Sequence, residues 1–289
     1  MSGGANLAAL LQQATQAHGA GDLGRAEGLY RQVLNADPKQ PDALHLLGLL
    51  ASQAGALDDA EGLIAEALSV KTPFPLAHLH MGNVKYARGD KTAAADHFAK
   101  AVAQMPDLVD ARVNLASVCM ELKRFDEAAE QCRAALAVNP DMALAHYNLG
   151  VALSETGRTA DAVGHFRRTA ELQPGLAEAH GNLGKALADL GRPGEAEPHF
   201  RQAIAVNADF ALAHYNLANV LQSLKRFGEA IDHYEKALAI DPEFHGARGN
   251  LGDALLRAGR HREGLAAARR GNGVIQLGLD EPGGFSIQY

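Results

Sequence analysis

Pairs of histidines recur along the chain with a fixed spacing of 19 residues. The four pairs are His78 and His97, His146 and His165, His180 and His199, and His214 and His233. Converging imidazoles could bind a transition metal or relay protons. A metal site needs three or four ligands, however, and no carboxylate or cysteine recurs beside these pairs at a ligand spacing. We therefore interpret the histidines as core packing residues and predict no metal site.

Other side chains capable of chemistry do not form a recognisable site either. Cys119 and Cys132 lack a C-x-x-C spacing, which favours buried, reduced thiols over a disulfide within one helical hairpin. The chain has no G-x-S-x-G, H-E-x-x-H or Walker motif, and GNGVIQLG at Gly271–Gly278 lacks the spacing of a phosphate-binding glycine loop. We predict no catalytic residue, no cofactor and no enzymatic activity.

A repeat explains why these residues recur. The heptapeptide ALAHYNL occurs at Ala143–Leu149 and again at Ala211–Leu217, an offset of 68 residues that is twice 34. A 34-residue period divides the chain without insertions into eight units, and each position below is counted from the start of its unit. The units are 7–40, 41–74, 75–108, 109–142, 143–176, 177–210, 211–244 and a degenerate 245–278. Residues 1–6 precede them as a lead-in, and a non-helical tail follows at 279–289.

Each unit has the pattern of two helices packed closely together. Positions 4, 7, 8 and 11 form one apolar stripe, and positions 20, 24 and 27 form a second. Position 8 is always small and position 24 is usually large, as in Gly82 and Phe98, so the large residue is expected to fill the space beside a close helix crossing. Glycine at position 15 predicts the left-handed end of the first helix, and proline at position 32 predicts the end of the second.

This pattern resembles the tetratricopeptide repeat over residues 7–278. Units such as ALAHYNLANVLQSLKRFGEAIDHYEKALAIDP are most similar to the repeat domain of the O-linked N-acetylglucosamine transferases, although no catalytic domain follows them. The resemblance implies an all-α fold, a right-handed α-solenoid superhelix of eight helical hairpins. It also implies that the first helix of each hairpin lines a concave groove.

Asparagine occupies position 6 of five consecutive units, on the side of the first helix opposite the apolar stripe. Its carboxamide both donates and accepts hydrogen bonds, which matches the backbone of an extended peptide. The transferase resemblance implies the same use, and two alternatives are a bond to the neighbouring helix and simple copying with the repeat. The predicted peptide-binding residues are Asn114, Asn148, Asn182, Asn216 and Asn250, with Asn83 and Asn219 at position 9 as further contacts. We expect replacement by alanine to weaken binding without loss of stability.

Composition and charge narrow the class of partner. The net charge is −7 and aromatic residues make up 5% of the chain, which disfavours nucleic acid as a ligand. No apolar run is long enough to span a membrane, and no signal peptide is evident, so a cytoplasmic location is expected. Residues 1–74 carry eight acids and four bases, whereas 245–271 carry six arginines and two acids. This asymmetry predicts weak head-to-tail self-association.

Two functional hypotheses from different classes follow. The first is a non-catalytic scaffold or adaptor that binds an extended protein segment in the groove. The second is a substrate-recognition component of a protein O-glycosyltransferase system whose catalytic domain lies on another chain. The carboxylate clamp of chaperone-binding repeats is absent, because Leu79, Leu144 and Asn148 stand where its basic residues belong. The tail is expected to cap the last hairpin, with a docking peptide as the alternative.

Overall fold

The computed structural model describes residues 2–272, 276–279 and 285–288, and the side chains of 6–268. The described part contains sixteen α-helices followed by two short strands, so the expected all-α repeat solenoid is confirmed. The helices are α1 (Ser2–Gly19), α2 (Leu23–Ala36), α3 (Pro41–Gln53), α4 (Leu57–Val70), α5 (Pro75–Ala87), α6 (Lys91–Gln104), α7 (Val109–Glu121), α8 (Phe125–Val138), α9 (Ala143–Glu155), α10 (Thr159–Leu172), α11 (Ala177–Asp189), α12 (Pro193–Val206), α13 (Ala211–Ser223), α14 (Phe227–Ile240), α15 (His245–Arg257) and α16 (His261–Asn272).

The chain forms two compact units, residues 1–148 and 149–289. Within the first unit each helix from α1 to α7 packs against the next, and α3 also contacts α5. Within the second unit the same succession runs from α10 to α16, and α11 contacts α13, which contacts α15. The odd-numbered helices are the first helices of successive hairpins, so in each unit first helices approach one another directly.

The first helices end as the repeat predicts. Six glycines at position 15 adopt φ values between +73° and +82°, a conformation that glycine reaches without strain. The fourth and seventh hairpins have Lys123 and Lys225 there instead, with φ values of +59° and +62°. Lysine at such a φ is strained, because its Cβ crowds the following carbonyl.

The second helices end two residues before the recurring proline. Helix α6 ends at Gln104 before Pro106, and α14 ends at Ile240 before Pro242. Proline disfavours a helical conformation in the residue that precedes it, which favours this boundary. Proline is not required, because α4 and α12 end at the same register before Thr72 and Ala208. Helix α1 begins at Ser2, so it includes residues of the N-terminal lead-in.

The helix crossings pair a small residue with a large one. A Cβ added to Gly82 would lie 2.5 Å from Cε1 of Phe98, and one added to Gly150 would lie 2.7 Å from Cε1 of Phe166. The ring therefore occupies the volume that any larger residue at position 8 would need. Leu149 and Leu217 at position 7 are 1% and 0% exposed, as expected for the core stripe.

The described part of the tail is extended. Strands β1 (Gln276–Leu279) and β2 (Phe285–Gln288) pair in antiparallel orientation, with Leu277 opposite Ile287. The predicted non-helical tail agrees with β2, whereas β1 falls mostly within the last predicted unit, and residues 273–275 and 280–284 lie outside the described part. Among the described helices, none combines the length and the apolar character needed to cross a bilayer.

Candidate functional site

The predicted binding residues lie on one face of the first helices, which we call the amide face and define as positions 2, 6, 9 and 13 of each unit. These positions are spaced by three to four residues, so their side chains share one side of the helix. Asn182, Asn216, Asn219 and Asn250 are half-buried, whereas Asn148 is only 8% exposed. The amide face therefore offers some carboxamides to solvent and encloses another.

Hydrogen bonds link the amide faces of successive hairpins. The amide nitrogen of Asn114 donates to Oδ1 of Asn83 at 3.0 Å, and that of Asn250 donates to Oδ1 of Asn219 at 2.8 Å. Both bonds join position 6 of one hairpin to position 9 of the hairpin before it. The sequence analysis named this bond to a neighbouring helix only as an alternative, and these contacts support a structural role for one amide hydrogen at each site.

Asn148 makes the same type of link and is enclosed by it. Its amide nitrogen donates to Oγ of Ser117 at 3.0 Å, and its small exposed fraction leaves little surface for a ligand. Asn216 differs, because Lys185 rather than an acceptor stands at position 9 of the preceding hairpin. Within the described residues, no side-chain hydrogen bond of Asn216 is found. Asn216 is therefore the predicted residue with the most hydrogen-bonding capacity left.

Exposed leucines lie at position 2 in alternate hairpins, one turn before position 6, which is His80 in the third hairpin and asparagine in the fifth and seventh. Leu76, Leu144 and Leu212 at position 2 are 43%, 50% and 48% exposed. The intervening hairpins have an acid at that position: Asp42, Asp110 and Glu178. Sequence reasoning placed position 2 on this side of the helix but missed the alternation, which the 34-residue alignment already contained. The amide face thus combines apolar and polar contacts.

A cavity of about 400 Å³ opens on the amide face of the second unit. Its polar wall is built around the buried Tyr234, whose hydroxyl lies 2.6 Å from Oδ1 of Asn219 and 2.9 Å from Oε1 of Gln222. Burial raises the pKa of the Tyr234 hydroxyl, so it stays protonated and acts as the donor. Lys225, Phe227, Asn250 and Arg257 complete the part of the lining that faces solvent.

One carboxylate at the edge of this cavity is already neutralised. Oδ2 of Asp253 accepts hydrogen bonds from Nε2 of Gln222 at 2.6 Å and from Nε of Arg257 at 2.7 Å. Lys225, by contrast, forms no ion pair with any residue in the described ranges. The charge at the mouth of the cavity is therefore net positive.

Hydrogen bonds join His78 to His97 and His214 to His233, which adds to the interpretation of the histidines as packing residues. The buried Nδ1 of His180 has no hydrogen-bond partner among the described residues, and its ring centroid lies 6.5 Å from that of His199. Nε2 of His214 lies 3.2 Å from the carbonyl oxygen of Ala208, six residues earlier, so that nitrogen must carry the hydrogen. Nδ1 of His214 is then the acceptor for Nδ1–H of His233 at 2.9 Å. Equivalent bonds from position 4 to the preceding loop involve Arg112, His146, His180 and Arg248.

Burial lowers the pKa of two of the paired imidazoles, His97 and His233. Desolvation, followed by the neighbouring His78 and two lysines, lowers the pKa of His97 to about 4. Desolvation and His214 lower the pKa of His233 to about 4 in the same way. In the part of the chain that the structure describes, no group of three or more His, Cys, Asp or Glu side chains could hold a metal ion.

The two cysteines are buried, free thiols. Burial is the main cause that raises the pKa of Cys119 to about 11 and that of Cys132 to about 12. The reactive form of cysteine is the thiolate, so these side chains are inert near neutral pH.

A second cavity, of about 840 Å³, lies on the first unit between α2, α3 and α4. Leu47, Leu50 and Leu63 contribute to its apolar wall, and the exposed acids Asp59 and Glu66 lie on its rim. Its one basic lining residue, Arg31, is paired with Glu27 at 2.8 Å. The surface around this cavity is therefore acidic.

Comparison with known proteins identifies the repeat. Four tetratricopeptide repeat models match the chain. One matches residues 17–79 and 85–148, a second matches 124–177, a third matches 177–202 and 245–270, and a fourth matches 211–244. A search of curated proteins finds no match.

Solved structures with the same fold include three repeat proteins. YrrB, a TPR protein with an unusual peptide-binding site, is 23% identical over 64% of this chain and 95% of its own, with a TM-score of 0.60. MamA is 24% identical over 59% of this chain and 93% of its own, with a TM-score of 0.52. The APC/C hetero-tetramer Cut9–Hcn1 is 20% identical over 84% of this chain and 48% of the matched chain, with a TM-score of 0.58. At these identities the likeness concerns the fold alone, and the repeat models show that the chain belongs to the tetratricopeptide repeat family.

Proposed function

We propose that the chain is a non-catalytic scaffold that binds extended protein segments on its amide face. The proposal is based on the hydrogen-bonding groups of the asparagine side chains that the bonds between hairpins leave available. The inter-hairpin bond of Asn114 employs one amide hydrogen, whereas a carboxamide offers two hydrogens and an oxygen with two lone pairs. The amide nitrogen of Asn250 donates to Asn219 and to the Tyr215 hydroxyl at 3.3 Å, so the acceptor oxygen is the group that Asn250 keeps for a ligand. The remaining groups match the alternating donors and acceptors of a peptide backbone.

The exposed leucines favour a protein ligand. Leu144 and Leu212 present apolar surface one turn from Asn148 and Asn216, and Leu76 lies two turns before Asn83. A ligand that carries both backbone amides and apolar side chains would use both kinds of contact. YrrB, a TPR protein with an unusual peptide-binding site, shares the fold, and this is in keeping with the proposal.

The test compares Asn216→Ala with Asn148→Ala, two equivalent changes in different surroundings. Asn216→Ala should melt at or above the wild-type temperature, because alanine is the better helix former. It should capture fewer proteins in a pull-down analysed by mass spectrometry. Asn148→Ala should lose about 0.5–1.5 kcal/mol of stability with the bond to Ser117, and should keep the wild-type binding partners below its melting temperature.

Two results would contradict the proposal. One is an Asn216→Ala variant that melts early and captures the same partners, since the amide would then be structural. The other is turnover of a nucleotide-sugar donor by the pure chain, lost on a point mutation, since the protein would then be an enzyme. The alternative of a substrate-recognition component rests on the resemblance to the transferase repeats, and sugar transfer in a mixture with a separate catalytic chain would support it.

Weak head-to-tail self-association is a second proposed property. The acidic cavity of the first unit and the arginines of residues 245–271 are surfaces of opposite sign on one chain. Oppositely charged ends of identical chains attract each other without any other partner.

A further inference from the structure

The mouth of the cavity of about 400 Å³ in the second unit carries a net positive charge, which favours an anionic ligand. We call this space the amide cavity; its functional lining is Asn219, Lys225, Tyr234, Asn250 and Arg257. We propose that the amide cavity binds a carboxylate of the bound peptide. This inference rests on the proposed peptide-binding function and adds a preference for acidic ligands.

The hydrogen bonds around Tyr234 fix the orientation of the cavity wall. Oδ1 of Asn219 accepts from both the Tyr234 hydroxyl and the amide of Asn250, which turns the Asn219 amide nitrogen away from them. Among the residues the structure describes, no hydrogen bond uses that amide nitrogen. A carboxylate is an acceptor only, so it requires donors of this kind.

Two cations stand at the mouth of the same cavity. Arg257 donates through Nε to Asp253, and its guanidinium has four further N–H groups to offer. The ammonium of Lys225 is exposed and forms no ion pair within the described part of the chain. Because Asp253 is already held by Arg257 and Gln222, an entering carboxylate meets a net positive site.

The backbone of Lys225 supplies an independent observation. Its φ of +62° is the conformation that six other hairpins assign to glycine. A non-glycine residue held in this region is strained. Lys123 shares the strain without lining the cavity, so the position of the Lys225 side chain, and not the strain itself, supports the inference. Here the strained residue places an ammonium at the cavity, which glycine could not do.

Lys123 provides a matched control within the same chain. It occupies the equivalent position at the end of α7, with a φ of +59°, and it does not line the amide cavity. Lys123→Gly and Lys225→Gly remove the same side chain and relieve the same strain. Both variants should melt at or above the wild-type temperature, so a fold defect is not expected in either.

The probes are four fluorescein-labelled decapeptides with one Ala-Gly-Ser host sequence that contains a central leucine. Three are amidated at the C-terminus and carry Glu-Glu, Gln-Gln or Lys-Lys beside the leucine. The fourth carries Gln-Gln with a free C-terminal carboxylate, which separates an internal acidic side chain from a chain terminus as the source of the carboxylate. Binding to the full chain is measured by fluorescence anisotropy at low salt.

We expect the Glu-Glu peptide, the free-carboxylate peptide or both to bind about fivefold to tenfold more tightly than the amidated Gln-Gln peptide. This difference is the size expected for one charge-assisted contact. Lys225→Gly should abolish most of that preference, whereas Lys123→Gly should retain it. Equal affinities for the Glu-Glu, free-carboxylate and amidated Gln-Gln peptides would overturn the inference, as would equal losses in both lysine variants.

The same peptides separate this inference from the function on which it rests. If the Glu-Glu and amidated Gln-Gln peptides bind equally, and Asn216→Ala weakens both, the amide face binds backbone and only the carboxylate preference is wrong. If none of the four peptides binds the wild-type chain, both the inference and the proposed peptide binding are contradicted.

Discussion

Position 4 and position 23 of the hairpins change together, and a hydrogen bond joins them in the third, fourth and seventh hairpins. The sixth hairpin is an exception, because Nδ1 of His180 is buried without a hydrogen-bond partner in the part of the chain that the structure describes. Where position 4 is His214, position 23 is His233; in the fourth hairpin Nη1 of Arg112 donates to Oε1 of Gln131 at 2.9 Å. The first two hairpins have leucine at both positions. A polar residue opposite an apolar one would leave a buried polar group unsatisfied, which costs about 1–3 kcal/mol. The eighth hairpin departs from this rule with Arg248 and Ala267, near the end of the repeat array.

The histidine pairs should make the fold sensitive to acid. The pKa of His233 is lowered to about 4 by desolvation, by His214 and by Lys236 and Arg201, against a small opposing effect of Asp232. The unfolded chain binds a proton at this site below about 6.5, whereas the folded chain binds it only near 4. The stabilisation is therefore complete above about pH 6.5 and is lost as the pH falls through about 4.

His233→Gln tests this dependence, because glutamine can still donate to Nδ1 of His214. We expect the melting temperature of this variant to fall less between pH 7 and pH 4.5 than that of the wild type, since one of the two titrating imidazoles of the pair is removed. Thermal melts followed by circular dichroism over that range measure the difference. Parallel curves for the two proteins would show that the pair does not contribute.

Replacing glycine by alanine should lower the stability of the chain at one helical glycine and raise it at another. Gly82 in α5 faces the ring of Phe98, and Gly82→Ala would overpack the crossing at a cost of about 1–3 kcal/mol. Gly164 in α10 has no atom within 4 Å of an added Cβ, and Gly164→Ala should stabilise the chain by up to about 1 kcal/mol through helix propensity.

Urea unfolding of the two glycine variants measures both effects. Adding Phe98→Leu to Gly82→Ala should recover part of the lost stability, because the smaller side chain vacates the crossing. A stable Gly82→Ala variant would mean that the ring moves aside without cost, contrary to the packing described here.

The helix ends and helix crossings were predictable from the sequence where a single residue type dictates the local geometry. Glycine at position 15 and proline at position 32 favour the helix ends through backbone sterics. The small Gly82 facing the large Phe98 determines the close crossing of α5 and α6. The loop contact of His214 was missed because it depends on the path of the connection before α13. The bond from Asn148 to Ser117 was only one alternative for the asparagines, because it depends on how far neighbouring hairpins approach each other. The amide cavity escaped prediction for the same reason, since Gln222 and Asp253 belong to different hairpins.

At the scale of the whole chain, charge is distributed unevenly while the fold repeats. The acids of residues 1–74 include Asp59 and Glu66, which are exposed on the rim of the larger cavity and form no ion pair with a described residue. At the other end, Arg260 is paired with Glu263, and the neighbouring Arg262 is exposed. The net charges of the two ends, rather than specific pairs, are thus available for attraction between chains.

Self-association should therefore be weak and should depend on salt. Charges at protein surfaces are screened over about 8 Å at physiological ionic strength and over about 30 Å at 0.01 M. Sedimentation velocity should show a weight-average coefficient that rises with protein concentration at low salt and becomes constant at physiological salt. The double change Asp59→Lys and Glu66→Lys should abolish the rise, whereas Asp107→Lys, an exposed site in the middle of the chain, should change it less. A dimer that persists in high salt, or a monomer at every ionic strength, would contradict the electrostatic attraction proposed between the two ends.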